Sequence, residues 1–297
     1  MSKPFKKIGI TGRLGKQAIW ETLQNLYTIV HDMGCQIIVD QRIANVFHSM
    51  PSLTFADEQF GANCDLIMVV GGDGSLLHAA RFGITHQVPL LGINHGRLGF
   101  LTDIRPNDLT HDITAILNGH YLEEQRFLLG AELYVQQTKI HSQIAINDVI
   151  LKQGHSPHML EFEIYVDKQF VCCEHADGII VATPTGSTAY ALSGGGPILH
   201  PQLDALVLMP MYSHTLSSRP IVVNGHSLIE ILVTGNNAHT SYVRCDGEDL
   251  MPLPPQGKIE IKKRQQKLRL VHPNHYNYFQ NLRTKLGWGK KMPSDET

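Results

Sequence analysis

One stretch of the chain places a carboxylate inside a glycine-rich turn. The apolar run Asp65–Val70 predicts a strand that is buried on both faces, and the turn Gly71–Gly74 follows it. Ser75 is then predicted to cap a helix over Leu76–Phe82. Glycines at a helix N-terminus let backbone N–H groups approach an anion. Because a carboxylate would repel a phosphate there, Asp73 is predicted to do chemistry or to work beside a metal; the alternative is a residue that caps the helix or fixes the turn.

A second stretch concentrates hydroxyl groups and glycines. Thr183–Thr188 contains four hydroxyl side chains, a helix is predicted over Thr188–Leu192, and Gly194–Gly196 end it. Hydroxyl and N–H groups at a helix N-terminus bind phosphate or ribose, and Tyr190 offers a ring on which a base could stack. The alternative is a loop rich in serine and threonine that contains a core tyrosine.

A weaker pattern is the pair Asn147-Asp148, which lies between two apolar, β-branched stretches. Such a pair usually forms a turn or a bulge. The alternative is a binding role, because a carboxylate accepts hydrogen bonds from two adjacent ribose hydroxyls.

The elements that must position these residues differ along the chain. Before about residue 120, strands alternate with helices, which is typical of an open and largely parallel α/β sheet. The predicted strands are Lys6–Ile10, Cys35–Val39, Asp65–Val70 and Val88–Ile93, and the predicted helices include Asn107–Leu117 and one that Gly34 ends. Ligands bind beyond the carboxyl ends of such strands, where the turn around Asp73 and the loop Asn94–Phe100 both lie.

From about Tyr121 the pattern changes to eleven short strand-like segments that are separated by turns, which predicts an all-β sandwich. These segments include Ile140–Leu151, Lys258–Lys263 and Lys267–Val271. The segment Tyr276–Leu286 is predicted to be a helix that returns to the first domain. We therefore expect an α/β domain at 1–122, a β-sandwich domain at 123–272 and a C-terminal segment at 273–297, with the active site in the cleft between the domains.

Composition and charge argue against several classes of protein. The 297 residues carry 25 basic and 27 acidic side chains, a net charge of −2 that does not suit a nucleic-acid or anionic-membrane binder. Five cysteines form no C-x-x-C pair, and the seventeen histidines are scattered without a metal-binding spacing. The N-terminal residues do not resemble a signal peptide, and no apolar run approaches the ~20 residues of a spanning helix. We expect a cytoplasmic protein with no nucleic-acid partner and no membrane partner.

Taken together, these motifs resemble the NAD kinase family over nearly the whole chain. In order, they are Gly71–Gly74, Asn147-Asp148, Thr183–Tyr190, Gly194–Pro197 and Cys245–Gly247. The first motif is shared with diacylglycerol, sphingosine and 6-phosphofructokinases, whereas the Thr183–Tyr190 run is much more specific and decides the resemblance.

The resemblance implies transfer of the ATP γ-phosphoryl group to the 2′-hydroxyl of the adenosine ribose of NAD, with a divalent metal such as Mg²⁺ or Mn²⁺. Asp73 is implied as the general base for that hydroxyl, and Asp177 as a contact to the nicotinamide end. The residues implied to bind the nucleotide substrates are Asp73, Gly74, His78, Asn147, Asp148, His158, His175, Asp177, Thr188, Ala189, Tyr190, Ala191, Leu192, Ser193 and Gly247. The sequence departs from the family at Asp148, where glutamate is frequent, and at Gly247, which offers only backbone.

The resemblance also implies a homo-oligomer, a dimer or a tetramer, whose β-domains pair. Strands with few charges, such as Ala205–Met211, are compatible with burial in such an interface. Two other functions compete with this interpretation. A lipid kinase would need a long apolar acceptor pocket, which the polar Thr183–Tyr190 run does not suit. A non-catalytic nucleotide-binding regulator would gain nothing from the Asp73 carboxylate near phosphates.

Overall fold

The computed structural model describes residues 4–13, 15, 17–48, 50, 54–56, 59–96, 99–154, 159–234, 241–248 and 250–288. The chain divides into two compact units. The first unit comprises Met1–Gln125 and Leu268–Thr297, and the second comprises Arg126–Lys267.

The first unit is built on a parallel sheet. Its strands are β1 (Lys7–Gly12), β2 (Gln36–Asp40), β3 (Thr54–Ala56), β4 (Leu66–Gly71) and β5 (Leu90–Asn94), joined by the C-terminal end of a long strand, β17 (Lys258–Pro273). The strand order is β17-β5-β4-β1-β2-β3, and every neighbouring pair is parallel. The helices of this unit are α1 (Gln17–Asp32), α2 (Asp73–His86), α3 (Leu109–Leu117) and α5 (Tyr278–Leu286).

Burial explains why these residues form a parallel sheet. All residues of β4 and β5 are buried, as expected for strands with helices on both faces. Helix α1 contributes Leu23, Leu26 and Val30 to the core, and Gly34 at φ +69° follows its end. The predicted α/β architecture is confirmed.

The start of α2 differs from the prediction. The helix begins at Asp73, with Gly72 as its N-cap, so Ser75 lies inside the first turn and the predicted cap at Ser75 is wrong. The reason is electrostatic and steric: a carboxylate in the first turn is favourable to the helix dipole, and Gly72 provides an extended backbone without a side chain.

The second unit consists of two antiparallel sheets. Its strands are β6 (Tyr121–Val135), β7 (Thr138–Ala145), β8 (Asp148–Lys152), β9 (Leu160–Val166), β10 (Gln169–Ala176), β11 (Gly178–Ala182), β12 (Ala205–Met211), β13 (Ile221–Asn224), β14 (Ile229–Thr234), β15 (Ser241–Cys245), β16 (Met251–Leu253) and most of β17; β6 begins in the first unit. One sheet has the order β13-β12-β11-β8-β15-β16, and the other contains β10-β9-β14-β17 together with β6 and β7. Side chains from both sheets form one core, including Phe162, Ile231 and Val181, which confirms the predicted β-sandwich.

Two predictions about the strands of this unit are wrong in detail. The strand predicted over Ile140–Leu151 is broken into β7 and β8 at Ile146 and Asn147, whose backbone N–H groups bond to a side chain instead of a neighbouring strand. The two strands predicted over Lys258–Lys263 and Lys267–Val271 are one continuous strand, β17. Strand β12 is largely buried in the core of its own chain, so its apolar side chains are no evidence for a subunit interface.

Across the described ranges, no helix is both long enough and apolar enough to cross a membrane.

Candidate functional site

Asp73 is half-buried at the N-terminus of α2, and a neighbouring loop fixes its carboxylate. The backbone N–H of Phe100 donates to Oδ2 at 2.8 Å, and the N–H of Leu101 donates to Oδ1 at 3.0 Å. The Thr102 hydroxyl donates to Oδ1 at 3.3 Å. A side chain at Gly99 would collide with Oδ1, so only glycine allows this approach. The carboxylate is therefore held in one orientation.

A second layer of contacts positions Thr102. Thr102 is fully buried, and its hydroxyl accepts a hydrogen bond from the side-chain amide of Asn94 at 2.9 Å. Asn94 is the last residue of β5, beside the end of β4 from which Asp73 emerges. The carboxyl ends of two neighbouring parallel strands thus build the surroundings of Asp73, at the edge where such sheets bind ligands.

A cavity of about 460 Å³ in the first unit is lined by basic side chains and by the start of α2. Its lining residues are Thr11, Gly12, Arg13, Arg42, Gly74, Ser75 and His78. The buried Asp40 carboxylate accepts hydrogen bonds from the Thr11 hydroxyl at 2.7 Å and from the Arg42 guanidinium, which is close to the His78 ring. Burial lowers the pKa of His78, and Arg42 and Arg81 lower it further, so the cavity is charged mainly by its arginines.

A second cavity, of about 540 Å³, lies within the β-sandwich unit. Its lining residues are Asn147, Asp148, Ile150, Lys152, Gln153, Asp177, Ala189, Tyr190, Met211, Tyr212, Arg244, Asp246 and Gly247. Two buried polar atoms on its wall have no hydrogen-bond partner in the described part of the chain, namely Oδ1 of Asn147 and Nε of Arg244. Since buried polar atoms are normally paired, these two atoms point to a polar ligand.

Asp246 organises the wall of this second cavity. Its carboxylate accepts the backbone N–H groups of Ile146 at 2.7 Å, Asn147 at 2.7 Å and Asp148 at 3.2 Å. Burial raises the pKa of Asp148 to about 7, and the Asp246 carboxylate contributes to the increase. Asp148 is therefore an acid that holds its proton far more tightly than an exposed aspartate. The Asn147-Asp148 pair marks a break between strands, as one of its two predicted roles required, and it also lines a cavity.

The hydroxyl-rich stretch serves the fold of its own loop. The Thr183 hydroxyl donates to the carbonyl of Ile146 at 2.6 Å, and the Ser187 hydroxyl donates to that of Pro184 at 2.6 Å. The Thr188 hydroxyl donates to the carbonyl of Thr185 at 3.1 Å. Thr183, Thr185 and Ser187 are buried, so the expectation that these three hydroxyls are exposed is wrong, and the following helix, α4 (Tyr190–Ser193), is only four residues long. Thr188 is half-buried, and its contact to a ligand stays a prediction.

Tyr190 is 49% exposed and is therefore no core residue. It lines the second cavity and also a smaller one of about 180 Å³, which Ser193 lines as well. Ala191 is buried in the core, Leu192 is half-buried and Thr188 is half-buried. The second cavity thus brings together six predicted residues, Asn147, Asp148, Asp177, Ala189, Tyr190 and Gly247.

The other predicted residues lie elsewhere. Gly74 and His78 line the first cavity. His175 is exposed on β10 and does not line the second cavity, and His158 is outside the described residues.

The sequence analysis missed several residues that shape the site. They are Arg42 in the first cavity, Leu101 and Thr102 beside Asp73, and Arg244 and Asp246 in the second cavity, whereas Phe100 belongs to the loop that was predicted at this edge. The Cys245–Gly247 motif carried a signal for Asp246, because an acidic residue before glycine is typical of a turn. Nothing local to Arg42 or Arg244 distinguishes them from surface arginines.

Family models cover most of the chain. The model of the ATP-NAD kinase N-terminal domain matches residues 8–121, and the model of the ATP-NAD kinase C-terminal domain matches residues 146–273. Curated relatives that are named NAD kinase include one from Pseudomonas putida F1, which is 50% identical over 98% of this chain and 99% of its own length. Another, from Pseudomonas syringae pv. syringae B728a, is 51% identical over 97% of both chains.

Solved structures agree with this match. A crystal structure of yeast NADH kinase in complex with NADH superposes with a TM-score of 0.88 and 26% identity, covering 97% of this chain and 89% of that one. An NAD kinase from Archaeoglobus fulgidus in complex with ATP shares the fold, with a TM-score of 0.72 and 22% identity over 95% of this chain and 98% of that one.

Proposed function

Because the chain belongs to the NAD kinase family, we infer that it transfers the γ-phosphoryl group of ATP to the 2′-hydroxyl of the adenosine ribose of NAD and so forms NADP. The observation that carries this inference is the match of both family domains, in order, at about half identity over nearly the full chain. The polar lining of the second cavity fits an acceptor with ribose hydroxyls, so a lipid acceptor is not favoured.

The second cavity is proposed to bind NAD. The unpartnered Oδ1 of Asn147 accepts a ribose hydroxyl or an adenine amino group, and Asp148 beside it bonds a second hydroxyl. The unpartnered Nε of Arg244 donates to an acceptor of the dinucleotide, and the exposed Tyr190 ring stacks on a base. Asp177 and the backbone of Gly247 complete the contacts on this wall. Contacts of His158, His175, Thr188, Ala191, Leu192 and Ser193 to a bound nucleotide stay predictions.

The first cavity is proposed to take the phosphates of ATP. Arg13 and Arg42 supply positive charge, and the N-terminus of the 14-residue helix α2 presents its free N–H groups there. The bonds from Arg42 to the Asp40 carboxylate fix the guanidinium before a phosphate arrives. Preorganised cations of this kind are what phosphoryl transfer requires, because its transition state is loose and charged.

Asp73 is proposed to accept the proton of the attacking 2′-hydroxyl. Its carboxylate is fixed by two N–H groups and one hydroxyl, which leaves part of its lone-pair capacity for an incoming O–H group. A base so weak towards an alcohol removes the proton late, after the phosphoryl group has begun to transfer.

A divalent cation, Mg²⁺ or Mn²⁺, is proposed to accompany ATP. One carboxylate together with substrate phosphates is a common way to bind Mg²⁺, and Asp73 is the acidic residue in the first turn of α2. When bound, the cation neutralises charge that develops on the phosphate oxygens.

We also propose a homo-oligomer in a reducing, cytoplasmic compartment. The second unit exposes large apolar side chains, with Leu216 95%, Tyr212 80% and Phe170 58% exposed, and such groups favour association. All five cysteines are free thiols, which suits the cytosol.

The experiment that tests the function is an incubation of purified protein with NAD, ATP and Mg²⁺, followed by an NADP-specific dehydrogenase assay. We expect one NADP for each ADP, with the new phosphate on the ribose 2′-oxygen by ³¹P NMR. ATP consumption with diacylglycerol or sphingosine but not with NAD would support the lipid kinase, and NAD binding without turnover would support the regulator.

A further inference from the structure

Three side chains with metal-binding groups lie on one face of the strand pair β9 and β10. This pair is distant from Asp73 in the sequence. Strands β9 and β10 are antiparallel, and His175 lies directly opposite Glu161 in their register. Cys173 precedes His175 by two residues, so side-chain alternation places it on the same face. The opposite face of the pair, with Phe162 and Glu174, is buried, whereas Cys173 and His175 are exposed and Glu161 is half-buried.

The ligand atoms of these three residues are already close together. One atom each from Glu161, Cys173 and His175 lies within 4.8 Å of the others, and Cys173 Sγ is 4.0 Å from Glu161 Oε1. Zn–N, Zn–O and Zn–S bonds of about 2.0–2.3 Å place tetrahedral ligands roughly 3.5 Å apart. Small side-chain rotations on a fixed pair of strands therefore suffice to close the site.

We propose that Glu161, Cys173 and His175 form a binding site for Zn²⁺, with water as the fourth ligand. The set combines one sulfur, one nitrogen and one oxygen, which suits a borderline-soft cation that takes tetrahedral coordination. Mg²⁺ requires an octahedron of oxygen ligands and does not fit. This site therefore differs in its chemistry from the site proposed for the Mg²⁺ that accompanies ATP.

The surroundings of the thiol favour a cation. Glu163 lies opposite Cys173 in the strand register and is held by the Tyr165 hydroxyl at 2.6 Å. Glu161 and Glu163 therefore place two carboxylates on the same face as the thiol, and a divalent cation offsets their negative charge.

Sequence spacing could not reveal this site. Glu161 is separated from Cys173 by a hairpin, and the local pattern around the cysteines contains no paired ligand motif. Only the register of β9 and β10 brings the carboxylate to the imidazole.

Titration of the untagged, full-length protein with Co²⁺, and then with Zn²⁺ as a competitor, tests the proposal. Co²⁺ reports its ligands: a tetrahedral site gives intense visible bands, and a bound thiolate adds a sulfur-to-cobalt charge-transfer band. We expect one Co²⁺ per chain, complete displacement by one equivalent of Zn²⁺, and no displacement by a large excess of Mg²⁺.

Matched variants identify the ligands. We expect Cys173→Ser to abolish the charge-transfer band and to weaken Zn²⁺ binding at least ~100-fold, and His175→Gln and Glu161→Gln to weaken it ~10- to 100-fold. Cys172→Ser is the control, because that neighbouring thiol is directed to the other face, towards Glu174. Circular dichroism checks that each variant is folded.

Three results would overturn the proposal: a charge-transfer band that survives Cys173→Ser, a band that disappears in Cys172→Ser, or Co²⁺ binding without any such band. NADP formation is measured separately in the same variants. Cys173→Ser is expected to retain it, so that failure of the zinc site and failure of the proposed activity give different results.

Discussion

The two cavities shift the pKa of an ionisable side chain in opposite directions. In the first unit, burial together with Arg42 and Arg81 lowers the pKa of His78, so a base in a cationic cavity loses its proton. In the second unit, burial together with Asp246 raises the pKa of Asp148 to about 7, so this acid keeps its proton to a much higher pH than an exposed aspartate does. In both cavities the surroundings favour the neutral form of the side chain.

The difference supports the proposed assignment of the two substrates. Fixed guanidinium groups suit the negative charges of a polyphosphate, and a neutral His78 adds no further charge to the first cavity. A ribose hydroxyl both donates and accepts, which suits the Asn147 amide oxygen as an acceptor and a protonated Asp148 as a donor. The proposed binding sites of ATP and NAD therefore differ in their chemistry.

The largest effect is expected from Asp73→Asn. Loss of general-base assistance should lower kcat ~10²- to 10⁴-fold, while the KM values for ATP and NAD change little. Steady-state kinetics with each substrate varied in turn measures this split, and NAD binding by calorimetry serves as the control for an intact second cavity. A variant that retains kcat within a factor of three would remove Asp73 from the chemistry.

The next effect concerns the contact that positions this carboxylate. Thr102→Val keeps the side-chain shape but removes the hydroxyl that donates to Asp73 and accepts from Asn94. Since a hydrogen bond to a charged group contributes about 1.5–3 kcal/mol, we expect kcat to fall ~10- to 100-fold. Thr102→Ser retains the hydroxyl and should retain most of kcat. Equal losses in both variants would indicate a packing role instead.

Much of the fold could be predicted from the sequence, because its signals are local. The apolar run at β4, the glycine after α1 and the helical segment Tyr276–Leu286 are local signals, and each predicted an element of the right type. Where burial rather than local composition decides, the prediction failed: nothing within β17 marks it as one strand instead of two.

The site was predictable only in part, for a related physical reason. Asp73 and Tyr190 lie in motifs whose composition is unusual, so they could be identified. Asp246 breaks the strand at Ile146 by hydrogen bonds across 100 residues of sequence, and Phe100 reaches Asp73 across 27. The hydroxyls of Thr183 and Ser187 were misjudged, because sequence does not show whether a hydroxyl faces a ligand or a carbonyl.

A smaller, paired effect sharpens the assignment of the two cavities. Arg42→Met should raise the KM for ATP ~5- to 10-fold and leave that for NAD unchanged, because a half-exposed guanidinium contributes less than a buried one. Tyr190→Ala should raise the KM for NAD and leave that for ATP unchanged, because the ring that stacks on a base is lost. Arg42→Lys is the matched variant, because it keeps the charge but loses the two-pronged geometry of the guanidinium. Its KM for ATP should lie between those of the wild type and Arg42→Met. If either variant raised both KM values equally, the separation of donor from acceptor would be wrong.

The last effect concerns stability instead of turnover: Asp148 should make the free energy of unfolding depend on pH. The folded-state pKa of about 7 lies above the ordinary value of 3.8, so the folded chain binds more protons than the unfolded chain between these values. The free energy of unfolding should therefore fall as the pH rises from about 4 to 7, by at most about 1.4 kcal/mol per pH unit.

Asp148→Asn, which stays neutral, should flatten this slope and make the chain more stable than the wild type at pH 8, although NAD affinity decreases. Urea unfolding at a series of pH values, followed by amide exchange in β8 and β11, measures the slope. Asp177→Asn, at an exposed carboxylate of the same cavity, is the control and should keep the wild-type slope. An unchanged slope in Asp148→Asn would mean that the acidic cavity does not hold a proton, and the contrast with His78 would then be lost.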